Sequence, residues 1–499
     1  MKDIKMLSRI KSLFSHSIND SLRTNVKKGI VWTLGISFWT RLIGILSSII
    51  VTRILLPHEF GLMAIVTSVI AIVTGLSVTG FESAIIQKQE NADKLFNSAW
   101  TMEVTKGLFL FFLIFFTAPL IANYYGNSNL ILMFRVLGIT FLFKGFENVG
   151  VVLFRKNLDI RKEFVLYAIP DLIYFITVII LVFSLRNIWA LILATAAASF
   201  TRTAVSYVIH PYRPRIEINM DKYRELFAFG KWVYGSSIVV MTRNQGVSLF
   251  VGKYFGMGIL GYYNRGDVFS QKIFNEVIRT LWKVGFPAFS KLSTDKKQFK
   301  KYFLLTLKVI TLIGFPMVIG FIVLSTETVN LILTERWTQI VPIIQLFAIA
   351  AIPSIIQTPF GISFISMGKP DINTKLALVN LLIFILLIYP VASNYGVKGI
   401  IILSALINLL ILPIGWTIMC RMLGVTFIEF LSSTFPQMII SLIMGYAILL
   451  VKTNVLTINS LTALLLCIIW GIVVYYFLVY VSDKLFKTDL KSTWSIFIR

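Results

Sequence analysis

The chain has 499 residues, of which 57% are hydrophobic and 14% are charged, and its mean hydropathy is +0.82. Because soluble domains carry roughly 25% charged residues, this composition excludes an ordinary soluble protein and indicates an integral membrane protein. The net charge of +24 would suggest a nucleic-acid partner in a soluble chain, but here each cation must first be assigned to one side of the membrane. The two cysteines, Cys420 and Cys467, lack the spacing of a disulfide framework or a zinc site.

Fourteen apolar stretches are long enough, or nearly long enough, to span a bilayer. We therefore predict an all-α polytopic membrane protein with about 14 transmembrane helices. In chain order the predicted spans are Gly29–Val51, Phe60–Ile86, Ala99–Ala122, Leu130–Leu153, Phe164–Leu185, Ile188–Ile209, Leu226–Val251, Tyr262–Leu281, Phe303–Ser325, Ile340–Met367, Thr374–Ala392, Val397–Met419, Phe435–Val451 and Leu461–Val481.

The charge of the loops tests this count, because cytoplasmic loops are rich in Lys and Arg. The first 28 residues hold seven such residues, FRKNLDIRKEF and HPYRPRIEINMDKYREL hold four each, and the stretch from Lys283 to Lys301 holds six. The intervening loops hold few: NYYGNSN has none and SLRN has one. Both termini are therefore predicted to face the cytoplasm, and most of the positive charge reports topology. The alternative is a count wrong by two, with one pair of spans misassigned.

The predicted domains follow from the spans. KDIKMLSRIKSLFSHSI places apolar residues at helical spacing opposite Lys and Arg, which is typical of a helix on an anionic leaflet, although a disordered basic tail is the alternative. The division is residues 1–28, the cytoplasmic tail; 29–209, the N-terminal lobe with helices 1–6; 210–225, a cytoplasmic linker; 226–419, the C-terminal lobe with helices 7–12; 420–481, helices 13 and 14; and 482–499, a second cytoplasmic tail.

An internal repeat accounts for an unusual cation, Arg41, which lies in the middle of the first span. The segment around Arg41 has a weak echo about 200 residues later. The matched pairs are Arg41 with Arg243, Arg53 with Lys253 and Gly61 with Gly261. The match sets span 1 against span 7 and predicts two parallel six-helix lobes around a central cavity, a recurrent transporter design. An arginine at mid-membrane is costly unless it is hydrated or paired, so Arg41 and Arg243 are predicted to face the cavity and to bind an anion.

Other charges lie within the predicted spans. Four of them are candidate cavity charges: Lys106, Arg135, Lys272 and Asp267. Two pairs at i, i+3 spacing, Glu103 with Lys106 and Lys144 with Glu147, are interpreted as internal ion pairs. Lys106 therefore has two competing interpretations, a cavity charge and the partner of Glu103.

Four stretches carry a resemblance to a known family. They are RILLPHEFG at the exit of the first span, LGYYNRGDVFSQKI, VGFPAFSKLSTDKKQFKKYF and ERWTQIVPIIQLFAI. In their order and spacing, and with about 14 spans, they resemble the polysaccharide transporter family, the Wzx-like oligosaccharide flippases of the multidrug/oligosaccharidyl-lipid/polysaccharide exporter superfamily. The resemblance is to the branch that exports lipopolysaccharide, teichuronic acid or exopolysaccharide.

The resemblance implies a transporter and not an enzyme. It implies that a polyprenyl-diphosphate-linked oligosaccharide moves from the cytoplasmic to the outer leaflet of a bacterial cell membrane by alternating access between the two lobes. The predicted phosphate contacts are Arg41, Arg53, Arg243 and Lys253; Arg53 matches the family motif, whereas Lys253 departs from it and is alternatively an interfacial anchor. Implied partners are the lipid-linked substrate, membrane lipids, and a polysaccharide polymerase and glycosyltransferases, and no cofactor is expected.

Two other functions compete with this interpretation. A multidrug exporter of the same superfamily would share the fold, but the excess of basic residues disfavours a cation carrier. A membrane polysaccharide polymerase or ligase is the enzymatic alternative. The sequence shows no paired carboxylates, nucleophile elbow or phosphate-binding loop for catalysis, and no ATP-binding motif.

Overall fold

A computed structural model describes residues 20–75, 77, 95–157, 159–219, 241–454 and 460–486. The chain divides into two compact units: an N-terminal unit of Met1–Leu55 and Val66–Ile238, and a C-terminal unit of Leu56–Ile65 and Val239–Arg499. The helices are α1 (Asp20–Ile54), α2 (Pro57–Gly75), α3 (Phe96–Tyr125), α4 (Asn129–Gly145), α5 (Val152–Lys156), α6 (Ile160–Leu185), α7 (Trp189–Ile209), α8 (241–255), α9 (Met257–Lys291), α10 (Lys296–Val323), α11 (Ser325–Ile332), α12 (Val341–Ser366), α13 (Pro370–Leu423), α14 (Phe427–Ser432), α15 (Phe435–Asn454) and α16 (Leu461–Phe486).

The described residues form helices, turns and loops and no strands, as the sequence predicts. Among them, nine helices are long and apolar enough to cross a membrane, and one bent pair of helices makes a tenth candidate. The chain is therefore a multi-pass membrane protein. The 54-residue α13 contains both the eleventh and the twelfth predicted spans, and Gly396 at their junction has a non-helical backbone (φ 65°, ψ −161°). The total of fourteen spans stays a prediction.

The fourth predicted span, Leu130–Leu153, is wrong as a single straight helix. The helix α4 ends at Gly145, and after a bend of 69° the chain continues as a short 3₁₀ turn, Val149–Val151, and α5. Asn148 causes the break, because its side chain accepts a hydrogen bond from Gly150 N–H (2.9 Å) and donates one to the carbonyl of Tyr212 (2.8 Å). Such local side-chain bonds compete with helix formation.

The helix that contains the first predicted span, α1, begins at Asp20, nine residues before Gly29. Residues 1–19, which hold most of the predicted amphipathic tail, lie outside the described residues. So do residues 220–240, which include part of the predicted linker and the start of the seventh span, and residues 487–499 of the C-terminal tail.

In the N-terminal unit the helices pack in the order α1, α6, α7, α4, α3. The closest approach joins α3 to α4 at two glycines. A Cβ at Gly107 would lie 2.6 Å from the carbonyl oxygen of Phe141, and one at Gly145 would lie 2.9 Å from that of Glu103. Glycine is therefore required at both positions for the helices to pack at this distance.

In the C-terminal unit, α12 packs against α9, α10 and α13, and α10 in turn carries α15. The last two helices form a core with α10 that includes Leu312, Met444 and Cys467. Tyr475 Oη donates a hydrogen bond to the carbonyl of Leu312 (2.7 Å). These contacts hold α15 and α16 on the side of α10, away from the cavity described next.

Candidate functional site

The helix α8 places Arg243 on the wall of an open cavity of about 380 Å³ within the C-terminal unit. Helices α9, α12 and α13 supply the other walls. The lining residues are Arg243, Trp282, Ser354, Gln357, Thr358, Phe360, Gly361, Phe364, Asn373, Leu376, Ala377, Asn380, Asn408, Ile411 and Gly415. The repeat predicts that Arg243 faces a central cavity between two lobes, which stays a prediction; the cavity that Arg243 lines here lies within the C-terminal unit.

Four amide side chains dominate the polar part of this cavity. Asn380 donates from Nδ2 to Oδ1 of Asn408 (2.9 Å), and Gln357 donates from Nε2 to the main-chain carbonyl of Asn408. Asn373 donates from Nδ2 to the carbonyl of Gly361 (3.0 Å). These bonds cross between the two halves of α13 and α12, so they fix the amides at defined positions in the wall.

One acceptor in this network has no partner among the described residues. Asn380 is only 5% exposed, yet no hydrogen bond reaches its Oδ1 atom. A buried carbonyl oxygen without a donor costs about 1–3 kcal/mol, so such a group in a binding cavity favours a ligand or water that donates a hydrogen bond. Trp282 adds an aromatic ring to the same lining.

The charge of the cavity is positive, because Arg243 is present and the described lining includes no carboxylate. Within the described part of the chain, no Asp or Glu forms an ion pair with Arg243. A guanidinium offers two parallel hydrogen bonds to a phosphate or carboxylate. The amides, the hydroxyls of Ser354 and Thr358 and the ring of Trp282 suit a ligand with many hydroxyl groups. The cavity can therefore bind an anion next to a polar, ring-shaped group.

The other predicted phosphate contacts are not among the lining residues of this cavity. Arg41 and Arg53 are exposed on α1, and twelve residues of helix separate them by about 18 Å. Lys253 is exposed on α8, and ten residues separate it from Arg243 by about 15 Å. The four cations thus form two widely spaced pairs on two helices, and neither pair converges on one point.

The four candidate cavity charges also have different surroundings. Lys106 forms an ion pair with the buried Glu103, as its second interpretation predicts. The guanidinium carbon of Arg135 lies 4.3 Å from the centre of the Phe115 ring, an arrangement typical of a cation–π contact. Asp267 is partly buried on α9. The structure does not describe the side chain of Lys272.

A partly buried polar cluster in the N-terminal unit corrects the second predicted ion pair. Glu147 pairs with Arg202 on α7 (Nε to Oε1, 3.1 Å) and not with Lys144, which is exposed. The bend after α4 turns Glu147 toward α7, which helical i, i+3 spacing cannot reveal. Tyr167 lies beneath the Arg202 guanidinium (4.7 Å). Arg202 was not predicted to be a partner of Glu147, because in the sequence it lies among Ala, Ser and Thr residues.

A second polar contact joins α1 to α6 next to Arg41. Thr40 donates from Oγ1 to the carboxylate of Asp171 (2.9 Å), and Trp39 donates from Nε1 to the carbonyl of Ala168 (3.3 Å). A carboxylate from another helix therefore lies beside the residue that precedes Arg41. This contact could not be predicted from the sequence, because 131 residues separate the two partners.

Comparison with known proteins decides the family. Residues 50–342 match the family described as polysaccharide biosynthesis protein. The chain belongs to this family. It is 23% identical over 86% of its length to the lipopolysaccharide biosynthesis protein WzxC of Escherichia coli (strain K12), covering 88% of that protein. It is 21% identical over 73% of its length to the teichuronic acid biosynthesis protein TuaB of Bacillus subtilis (strain 168), covering 76% of that protein.

Solved structures show the fold of this polysaccharide biosynthesis protein. The lipid II flippase MurJ in an inward closed conformation aligns with a TM-score of 0.74 at 17% identity, over 91% of this chain and 99% of MurJ. An inward-facing multidrug resistance MATE family transporter of the MOP superfamily aligns with a TM-score of 0.60 at 14% identity, over 77% of this chain and 94% of the transporter. The fold is thus similar to that of MurJ and of this MATE transporter.

Three of the stretches that carry the family resemblance meet in the C-terminal unit. Phe60 of RILLPHEFG, Tyr262 of LGYYNRGDVFSQKI and Trp337 of ERWTQIVPIIQLFAI pack their rings together, with centroids 5.5 and 5.8 Å from Trp337. The guanidinium carbon of Arg265 lies 3.8 Å from the Phe60 ring centre. Phe60 and Trp337 are each 1% exposed. This part of the recognisable motif is therefore a packing cluster, and the amides of the cavity lie outside it.

Proposed function

We propose that the protein is a flippase for a lipid-linked oligosaccharide used in cell-surface polysaccharide synthesis. It moves a polyprenyl-diphosphate-linked glycan from the cytoplasmic to the outer leaflet of a bacterial cell membrane by alternating access, with both termini in the cytoplasm. The observation that carries the proposal is the cavity in which Arg243 faces amides, hydroxyls and an indole ring. The family, the names of the relatives and the transporter fold support it.

The physical task explains why such a cavity is useful. A diphosphate carries charge that is costly to move through hydrocarbon, where the dielectric constant is low and no water is available. Arg243 supplies a compensating charge and two directed hydrogen bonds. The amides and hydroxyls replace water around the sugar hydroxyls, and Trp282 offers its face to the sugar ring. The polyprenyl tail stays in lipid throughout.

The competing functions fit the cavity less well. A carrier of cationic drugs needs a negative site, whereas the described lining has one cation and no carboxylate. A polymerase or ligase needs a general base or nucleophile next to the bound glycan. The described lining offers amides and two hydroxyls instead, and none of its residues is a His, Cys, Asp or Glu.

The test uses cells whose surface polysaccharide depends on this gene. Arg243→Ala should abolish surface polymer and let the polyprenyl-linked precursor accumulate, at a normal protein level. Arg243→Lys keeps the positive charge but loses the two parallel hydrogen-bond donors of the guanidinium, so partial export is expected. Asn244→Ala is the matched control, because Asn244 is exposed on the same helix and does not line the cavity. Full export by Arg243→Ala would contradict the proposal.

Arg41 is the corresponding candidate in the N-terminal unit. Arg41→Ala and Arg41→Lys are assayed in the same way, with protein level and precursor measured together. Loss of polymer with accumulated precursor supports phosphate handling by Arg41, and rescue by Lys shows that charge matters more than fork geometry. Full export by Arg41→Ala would remove Arg41 from the proposed phosphate contacts and leave Arg243 in place.

A further inference from the structure

A second cavity, of about 360 Å³, lies at one end of the helices of the C-terminal unit. Its lining comes from three separate segments: the turn between α9 and α10 together with the start of α10, the turn between α12 and α13, and the end of α13. The lining residues are Ser293, Lys296, Phe299, Met367, Lys369, Arg421, Met422 and Leu423. Each of the three segments contributes one cation, Lys296, Lys369 and Arg421 respectively.

These three cations are not neutralised by the acidic residues closest to them in the sequence. Asp295 is the N-cap of α10 and accepts hydrogen bonds from the backbone N–H groups of Lys297 and Gln298 (both 3.0 Å). Asp371 pairs with Lys375 (2.9 Å), and Glu429 pairs with Lys300 (2.8 Å). In the described part of the chain, no ion pair involves Lys296, Lys369 or Arg421.

The rest of the lining is largely apolar. Phe299 is fully buried, Leu423 is buried, and Met367 and Met422 are partly buried. A cavity that combines exposed cations with apolar side chains, at the ends of membrane helices, matches the chemistry of an anionic phospholipid. Its phosphodiester oxygens bind cations, whereas its glycerol and first acyl carbons prefer apolar contacts.

We propose that this cavity binds the headgroup of an anionic phospholipid at the membrane surface. The predicted topology puts these helix ends on the cytoplasmic side, where anionic lipids attract basic groups. A zwitterionic lipid is disfavoured, because its positive headgroup finds no carboxylate in the described lining. Inorganic phosphate would use the cations but not the apolar side chains. The proposal does not depend on the transport function.

The test is lipid binding by the purified full-length protein in detergent, measured by native mass spectrometry. Phosphatidylglycerol is titrated against the wild type and against the triple variant Lys296→Gln, Lys369→Gln, Arg421→Gln, with phosphatidylcholine as the zwitterionic comparison. The triple variant should lose roughly tenfold or more in affinity for phosphatidylglycerol, because several cations near one anionic lipid act together. Binding of phosphatidylcholine should stay weak in both proteins.

A matched control removes the same charge elsewhere. Arg161→Gln, Arg215→Gln and Lys297→Gln change three exposed cations that do not line the cavity, and this variant should bind phosphatidylglycerol like the wild type. Equal losses in both triple variants, or equal binding of the two lipids by the wild type, would overturn the proposal. Displacement of the lipid by millimolar inorganic phosphate would overturn it in favour of a free-phosphate site. If the triple variant does not fold, Lys369→Gln alone should show a severalfold loss.

Discussion

Gly61 packs against the backbone of Met257, which lies four residues before Gly261, and Gly261 packs against the backbone of Pro57, which lies four residues before Gly61. A Cβ at Gly61 would lie 1.9 Å from the carbonyl oxygen of Met257, and a Cβ at Gly261 would lie 1.8 Å from the carbonyl oxygen of Pro57. The first turns of α2 and α9 therefore cross in the C-terminal unit with almost no space between their backbones. The contact is reciprocal. Gly61 and Gly261 are separated by 200 residues, and so are Pro57 and Met257, which is the offset of the sequence repeat at this point.

The first prediction concerns this crossing. Gly61→Ala and Gly261→Ala each place a methyl group 1.9 or 1.8 Å from a carbonyl oxygen, so the two helices must move apart. The free energy of unfolding should fall by about 1–3 kcal/mol or more. Each variant should melt several degrees below the wild type in a thermal unfolding assay in detergent. Gly246→Ala is the control, because nothing lies within 4 Å of a Cβ at that position. An unchanged melting temperature for both crossing variants would contradict the geometry.

The hydropathy pattern predicted the all-helical, multi-pass character of the fold, since long apolar stretches follow from local composition, whereas the two lobes that the repeat predicts stay a prediction. The pattern failed at Leu130–Leu153, where Asn148 redirects the chain through bonds to distant residues. The candidate site was predicted only in part. Arg243 stood out as an arginine in an apolar helix, whereas an isolated amide such as Asn380 or Asn408 is common in a membrane helix. Their pairing across 28 residues appears only once the break at Gly396 lets the two halves of α13 pack together.

The second prediction separates stability from transport at the amide pair. Asn408→Leu removes the acceptor of Asn380 Nδ2, so neither polar atom of this buried amide then has a hydrogen-bond partner in the described protein. The expected cost is about 1–3 kcal/mol. The double variant Asn380→Leu, Asn408→Leu has no orphaned amide and should recover part of the lost melting temperature. Export should stay impaired in both variants, because the cavity has lost groups that bind the glycan.

The comparison between these variants is the control for folding. If the double variant regains both stability and full export, the amides serve the fold and do not contact the substrate. Thr417→Leu provides an unrelated reference, because Thr417 is exposed on the same helix and does not line the cavity. It should change neither the melting temperature nor export.

The third prediction concerns the ion pair of Glu147 and Arg202. It is partly buried, with side chains 15% and 37% exposed, and Tyr167 stacks beneath the guanidinium. A double-mutant cycle of Glu147→Ala and Arg202→Ala should give a coupling energy of about 1 kcal/mol, at the upper end for solvent-accessible pairs because the site is only partly screened. The exposed pair of Asp371 and Lys375 should give a clearly smaller coupling energy, because water and salt screen both of its charges. Equal coupling in the two cycles would contradict the importance of burial.

The fourth prediction concerns pH and His210, which follows α7 and lies outside the predicted spans. Its Nδ1 atom accepts a hydrogen bond from the backbone N–H of Tyr212 (3.2 Å). Burial, followed by the positive charges of Lys162 and Arg213, lowers the pKa of His210 below its usual value of 6.5. The unfolded chain therefore takes up this proton more readily than the folded chain, so stability is complete above pH 6.5 and falls as the pH drops through the lowered pKa.

The measurement is the melting temperature of the wild type and of His210→Gln between pH 7.5 and pH 5, a range that runs from roughly 1 unit above to roughly 1.5 units below the usual histidine pKa. The wild type should lose more stability on acidification than His210→Gln, because glutamine can accept the same hydrogen bond but cannot be protonated in this range. His58→Gln is the control, since His58 is exposed on α2, and it should leave the slope of the wild type unchanged. A His210→Gln curve parallel to the wild type would show that the acid sensitivity comes from other groups, whereas a flatter curve assigns it to protonation of Nδ1 and loss of the bond to Tyr212.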